Sequence, residues 1–163
     1  MTEWNKTLPA SRMIYPASFI DRTKYVFWRL YTPFHPLVRE VSLKVGIVSM
    51  SRKIERWGAR QQYLLGTIAP GESIESVVEH LVQKGFYNHF VAWEDEGEVA
   101  SLRYLPDFKY QYHIRIFKDG EIRAHYEYTP ECHPIYHYYE RGCFEDRREE
   151  FLKILGGKLA PLT

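Results

Sequence analysis

The segment YQYHIRIFKDGEIRAHYEY, residues 110–128, constrains the fold most, because it predicts a β-hairpin in one register. Lys118-Asp119-Gly120 is typical of a three-residue hairpin loop that closes with glycine in the left-handed region. Counting outward from that loop predicts these cross-strand pairs: Ile116–Ile122, Arg115–Arg123, Ile114–Ala124, His113–His125, Tyr112–Tyr126, Gln111–Glu127 and Tyr110–Tyr128. One face is then apolar and the other polar, whereas a shift by one residue would mix the two.

The polar face of this hairpin places two arginines opposite each other. Cross-strand pairs of like charge are unfavourable, so an acidic group is expected beside Arg115 and Arg123. The repulsion is relieved either by an acid of the same chain, such as Glu127, or by solvent screening, or by a bound phosphate or carboxylate, which arginine binds through two parallel hydrogen bonds. Gln111 completes the predicted ligand-binding residues of this face. A ligand would require the face to line a cleft, for example beneath the N-terminal half of the chain.

Three chemistries suit this face. In the first, His113 and His125 act as general base and acid on a phosphodiester, while the two arginines hold its charge. In the second, His113, His125 and Glu127 hold iron, manganese or zinc, since two imidazoles and one carboxylate form a common ligand set. The neighbouring arginines would then favour an anionic substrate beside the metal. In the third, the face binds a polyanion without cleaving it, and aromatic side chains stack on bases.

Charge is distributed unevenly along the chain. Residues 1–65 carry 11 Lys and Arg against 4 Asp and Glu, whereas the whole 163-residue chain has a net charge of only +1. Within the basic half, Arg52, Arg56 and Arg60 recur every four residues, with Lys53 beside them, so a helix here would carry one basic stripe. This stripe predicts phosphate contacts, or alternatively ion pairs with acids of the C-terminal half.

The remaining segments complete an α+β prediction. Residues 1–20 lack periodicity and are expected to be irregular, residues 23–31 are aromatic-rich and suggest a strand, and residues 37–56 suggest a helix. Strands are predicted over 63–69, 90–94 and 99–105, and amphipathic helices over 74–82 and 146–155. We therefore expect one domain over 1–163, with an α+β core over 63–157 in which helices pack on one face of an antiparallel meander of about four to five strands.

These properties also limit the function classes. The N-terminus lacks the apolar core of a signal peptide, and Arg39, Glu40 and Lys44 interrupt the most apolar region, so a cytoplasmic protein without a membrane partner is expected. The leading prediction is binding of nucleic acid or another phosphate-bearing ligand, with histidine-based phosphodiester cleavage. The alternatives are the metal-dependent enzyme and a non-enzymatic assembly subunit that binds a protein partner or forms a homo-oligomer. The cofactor is left unassigned.

Overall fold

A computed structural model describes residues 18–45, 63–88, 96–132 and 145–162. These residues form four α-helices and six β-strands. In chain order they are α1 (Phe19–Tyr31), α2 (His35–Lys44), β1 (Tyr63–Ile68), α3 (Ile74–Gln83), β2 (Tyr87–Asn88), β3 (Glu98–Tyr104), β4 (Tyr110–Phe117), β5 (Glu121–Tyr128), α4 (Arg148–Leu155) and β6 (Leu159–Pro161).

All six strands belong to one antiparallel sheet in the order β2-β3-β4-β5-β1-β6. The α+β prediction is confirmed. The sheet has six strands, one more than the four to five that were predicted. β2 and β6 were not predicted, because segments of two and three residues are too short to show alternation. The strand predicted over 90–94 lies outside the described residues.

The β4–β5 hairpin adopts the predicted register from Tyr110–Tyr128 to Ile116–Ile122. Gly120 has a φ of +82°, and its N–H donates to the Phe117 carbonyl at 2.9 Å. The left-handed conformation that glycine adopts readily therefore closes the loop and fixes the register of both strands.

The hydrophobic core lies between one face of the sheet and helices α3 and α4. Val77, Val78 and Leu81 of α3 and Phe151 and Leu155 of α4 are buried. They join the apolar residues of the sheet, which include Leu102, Ile114, Ile116, Ile122 and Ala124. The predicted packing of helices on one face is therefore confirmed for α3 and α4, whose apolar stripes were visible in the sequence.

The N-terminal part of the described chain corrects the sequence prediction. The strand predicted over 23–31 is wrong, because these residues belong to α1, which begins where the Ser18 side chain accepts a hydrogen bond from the Asp21 N–H. Residues 19 and 20, expected to be irregular, are helical as well. The helix predicted over 37–56 is described only as α2, and its part from residue 46 lies outside the described residues. None of the four described helices is long and apolar enough to span a membrane.

Candidate metal centre

The polar face of the hairpin is buried. His113, His125, Glu127 and Gln111 are each 0% exposed, and Arg115 is only 3% exposed. The apolar face opposite forms the core, so both faces at the centre of the sheet are inaccessible to solvent. Because buried polar groups cost free energy unless they are paired, the contacts on this face decide what it can do.

Two histidines and one glutamate form a compact triangle on β4 and β5. His113 Nδ1 lies 3.0 Å from His125 Nε2 and 3.4 Å from Glu127 Oε1, and His125 Nε2 lies 3.0 Å from Glu127 Oε1. The histidines are cross-strand neighbours, and Glu127 follows His125 by two residues, so all three side chains project from the same face. The hairpin register alone thus brings three ligand-type atoms together.

The size of this triangle matches the coordination geometry of a metal ion. Ligand atoms about 2.1 Å from one ion lie about 3.0 Å apart at octahedral angles and about 3.4 Å apart at tetrahedral angles. The three sides of the triangle, 3.0, 3.0 and 3.4 Å, fall in this range, and the two shorter sides are also hydrogen-bond distances. Three ligand atoms on one face of an ion would leave its other coordination positions to other ligands.

Ser101 of β3 orients the first histidine. Its Oγ lies 2.7 Å from His113 Nε2, on the side of the ring away from the triangle. Burial lowers the pKa of His113 well below its usual range, and the neighbouring His125 lowers it further. A neutral imidazole that donates its Nε2 proton to Ser101 presents the Nδ1 lone pair to the triangle. This is the form that binds metals.

Gln111 holds the carboxylate of the triangle. Its Nε2 donates to Glu127 Oε1 at 2.6 Å, and its Oε1 accepts from Arg103 Nη1 at 3.2 Å. Arg103 also forms a forked pair with Glu131, at 2.7 and 3.1 Å. A continuous buried chain of hydrogen bonds therefore runs from Glu131 through Arg103 and Gln111 to Glu127.

The repulsion between the two facing arginines is balanced by acids of the same chain. Arg115 Nη1 donates to Glu98 Oε2 at 3.1 Å in a pair whose side chains are 3% and 0% exposed. Arg123 Nε donates to Glu121 on its own strand. The acidic partner expected from the sequence is thus present within the chain, although it is not Glu127, which contacts the histidines and Gln111.

The structure brings together His113, His125, Glu127, Gln111, Arg115 and Arg123, all on the predicted face. The basic stripe Arg52, Lys53, Arg56 and Arg60 lies outside the described residues. Sequence reasoning missed Ser101 and Arg103, although both alternate with the core residues Ala100 and Leu102 of β3. That period-two alternation is the signal that would have placed them on the polar face.

Comparison with known proteins supplies no further information on this centre. No family model matches the chain, and neither the curated proteins nor the solved structures gave a significant match. A function for the chain must therefore be argued from the geometry of the buried polar face.

Proposed function

We propose that the chain is a metal-dependent enzyme in which His113, His125 and Glu127 hold one divalent transition-metal ion. The observation that supports this proposal is the triangle of three ligand atoms with sides of 3.0, 3.0 and 3.4 Å. One ion about 2.1 Å from each of these three atoms fits a triangle of this size. The same three residues are predicted from the sequence as an alternative set of metal ligands, which only the hairpin register brings together.

Iron(II), manganese(II) and zinc all suit this ligand set. Two imidazoles and one carboxylate on one face are the ligands of the facial triad that binds iron(II) in oxygen-using enzymes. Two histidines and one glutamate also hold catalytic zinc, which keeps a fourth position open. An ion held by these three side chains would lie within the buried polar face, because each of the three is 0% exposed.

The surrounding residues have defined roles in this proposal. Ser101 fixes the ring orientation of His113, and Gln111 keeps Glu127 Oε1 aimed at the histidines. Such outer contacts usually change metal affinity by about 10–100-fold when they are removed. Arg115 pairs with Glu98 beside the centre, and its positive charge adds to the lowering of the pKa of His113.

Metal analysis of gently purified protein tests whether the three residues hold an ion, which this function requires. The wild-type chain purified without chelator, and reloaded anaerobically with iron(II), manganese(II) or zinc, is expected to hold about one ion per chain. Glu127→Gln should lose this ion, because an amide is a weak ligand, and Glu79→Gln, at an exposed position of α3, should retain it as the matched control. Wild-type protein that takes up no more of any of the three metals than Glu127→Gln would contradict the proposal.

Binding of nucleic acid or another phosphate-bearing ligand stays a prediction. Arg115 and Arg123 already donate to Glu98 and Glu121, so a phosphate at this face would have to compete with two carboxylates of the chain. A gel-shift assay with single-stranded RNA and DNA at low and moderate salt tests this binding. An Arg52→Ala/Arg56→Ala variant with an unchanged salt dependence would remove the basic stripe from the prediction.

A further inference from the structure

Helices α1 and α2 expose an unusual amount of apolar side chain. Ten large apolar residues between positions 19 and 45 are exposed by 39–84%: Phe19, Ile20, Val26, Phe27, Leu30, Phe34, Leu37, Val38, Val41 and Val45. Isolated exposed apolar residues are ordinary, whereas a contiguous group of this size usually marks an interaction surface. We call these ten residues the α1–α2 stripe.

The stripe lies on one side of a nearly continuous helical segment. A single 3-10 turn, Thr32–Phe34, joins the two helices, and Tyr31, Thr32 and His35 keep right-handed helical backbone angles. At about 100° per residue in the α-helices and up to 120° in the 3-10 turn, the ten residues fall within a sector of about 120–180°. The apolar surface is therefore a band along the whole segment rather than scattered side chains.

The other side of the segment carries its buried residues. Trp28 and His35 are only 3% and 6% exposed, and both rings lie beside that of Tyr31. The Tyr25 ring of α1 lies 6.5 Å from that of Phe108, which precedes β4. The α1–α2 stripe is a second apolar side that this packing leaves uncovered.

We infer that the α1–α2 stripe binds the same stripe of a second copy of the chain. Ten side chains with these exposures offer apolar surface on the order of 1,000 Å² per chain, and a stable interface buries roughly 800 Å² per partner. One chain therefore carries enough area for a dimer by itself. In a dimer with two-fold symmetry, the stripe of each copy covers the stripe of the other, so no other partner is needed.

Charge favours an antiparallel arrangement of the two segments. Arg22 and Glu40 are both exposed and are placed symmetrically about residue 31, and Glu40 also accepts from Lys44 Nζ of its own chain at 2.7 Å. A two-fold axis near residues 31 and 32 would bring Arg22 of each copy beside Glu40 of the other. Opposite charges at such flanking positions are known to set the orientation of paired helices.

Light scattering of the full chain after size-exclusion chromatography tests this inference. The wild type should have twice the 19.5 kDa mass of one chain over a range of micromolar concentrations. Leu30→Glu/Leu37→Glu should be monomeric with an unchanged circular dichroism spectrum. Leu162→Glu is the matched control, because Leu162 is 59% exposed but lies outside the stripe, and it should remain dimeric.

Charge exchange tests the orientation. Arg22→Glu and Glu40→Arg should each weaken the dimer, and the double exchange should restore its affinity to within a few-fold of the wild type. A wild-type monomer would overturn the inference, as would a dimer that the stripe variant leaves intact. Adsorption of a monomer to vesicles of anionic phospholipid would also overturn it, since the stripe would then serve a lipid surface.

Discussion

Gln111 and Glu127 face each other directly across β4 and β5, and the Gln111 amide donates to Glu127 Oε1 at 2.6 Å. The orientation of that amide is fixed on its far side, because Arg103 can only donate and therefore binds the amide oxygen. The carboxylate oxygen that completes the triangle is thus held in place from outside the triangle.

Removal of this hydrogen bond should weaken metal binding. Gln111→Leu is expected to lower the affinity for manganese(II) by about 10–100-fold, because Glu127 loses the contact that aims its oxygen. Calorimetric titration measures the affinity, and thermal unfolding of the metal-free protein shows whether the fold is retained. Gln83→Leu, at the exposed end of α3, is the control and should bind normally. If the folded Gln111→Leu variant binds manganese(II) with unchanged affinity, Gln111 does not support metal binding.

The two facing arginines should differ sharply in their contribution to stability. Arg115→Met leaves Glu98 as a buried charge without its guanidinium partner, which should lower the free energy of unfolding by about 3–5 kcal/mol. Arg123→Met is the matched control. Its pair with Glu121 is partly exposed and should contribute about 1 kcal/mol or less. Urea unfolding measures both, and equal losses would contradict the difference in burial.

The metal-free protein should lose stability on acidification. Burial keeps the pKa of His113 in the folded chain below its ordinary value of 6.5, so the unfolded chain takes up a proton first as the pH falls. The stabilisation is therefore complete above about pH 6.5 and declines below it, with a slope approaching about 1.4 kcal/mol per pH unit for one proton. Urea unfolding in EDTA between pH 7.5 and 5 measures this slope.

A matched pair of histidine variants isolates the contribution of His113. His113→Gln should show a smaller loss of stability on acidification than the wild type. His80→Gln is the comparison variant, because His80 lies on α3, where its ring contacts the Ile154 carbonyl at 2.8 Å. An identical slope in all three proteins would show that the acid dependence arises elsewhere.

The hairpin loop should be sensitive to a single methyl group. Gly120→Ala places a Cβ at a φ of +82°, which should cost about 1–2 kcal/mol. The nearest atom to that Cβ would be Ile68 Cβ at 3.9 Å, so the cost is conformational rather than steric. Gly157→Ala, whose added Cβ meets nothing within 4 Å, should be nearly neutral. Thermal unfolding of both variants and of the wild type measures the difference.

The hairpin could be predicted from the sequence because only one register separates its polar from its apolar side chains. α1 could not be assigned on the same basis, because its aromatic and β-branched residues favour a strand locally. The stronger signal was the start of the helix, where Ser18 precedes Asp21 at the spacing of an N-cap. β2 and β6 depend on pairing with longer strands and carry no periodic pattern of their own.

The residues of the candidate centre could be predicted from the sequence, but their burial could not. The register placed His113, His125 and Glu127 on one face, whereas their burial depends on packing that a strand pattern does not show. The Arg115–Glu98 ion pair could not be predicted either, because a register shift between Glu98 and Ala100 changes the pairing of β3 with β4. Long-range pairing of this kind decides whether facing arginines attract a ligand or bind their own chain.

Electron spin-echo spectroscopy of the manganese(II)-loaded protein tests the central claim most directly, because it detects nitrogen nuclei bound to the ion. The proposal predicts modulation from two imidazole nitrogens in the wild type, with the contribution of one nitrogen lost in His113→Gln and in His125→Gln. His80→Gln should retain both. Bound manganese without imidazole modulation, or modulation that both ligand variants leave unchanged, would contradict the assignment of His113 and His125 as metal ligands.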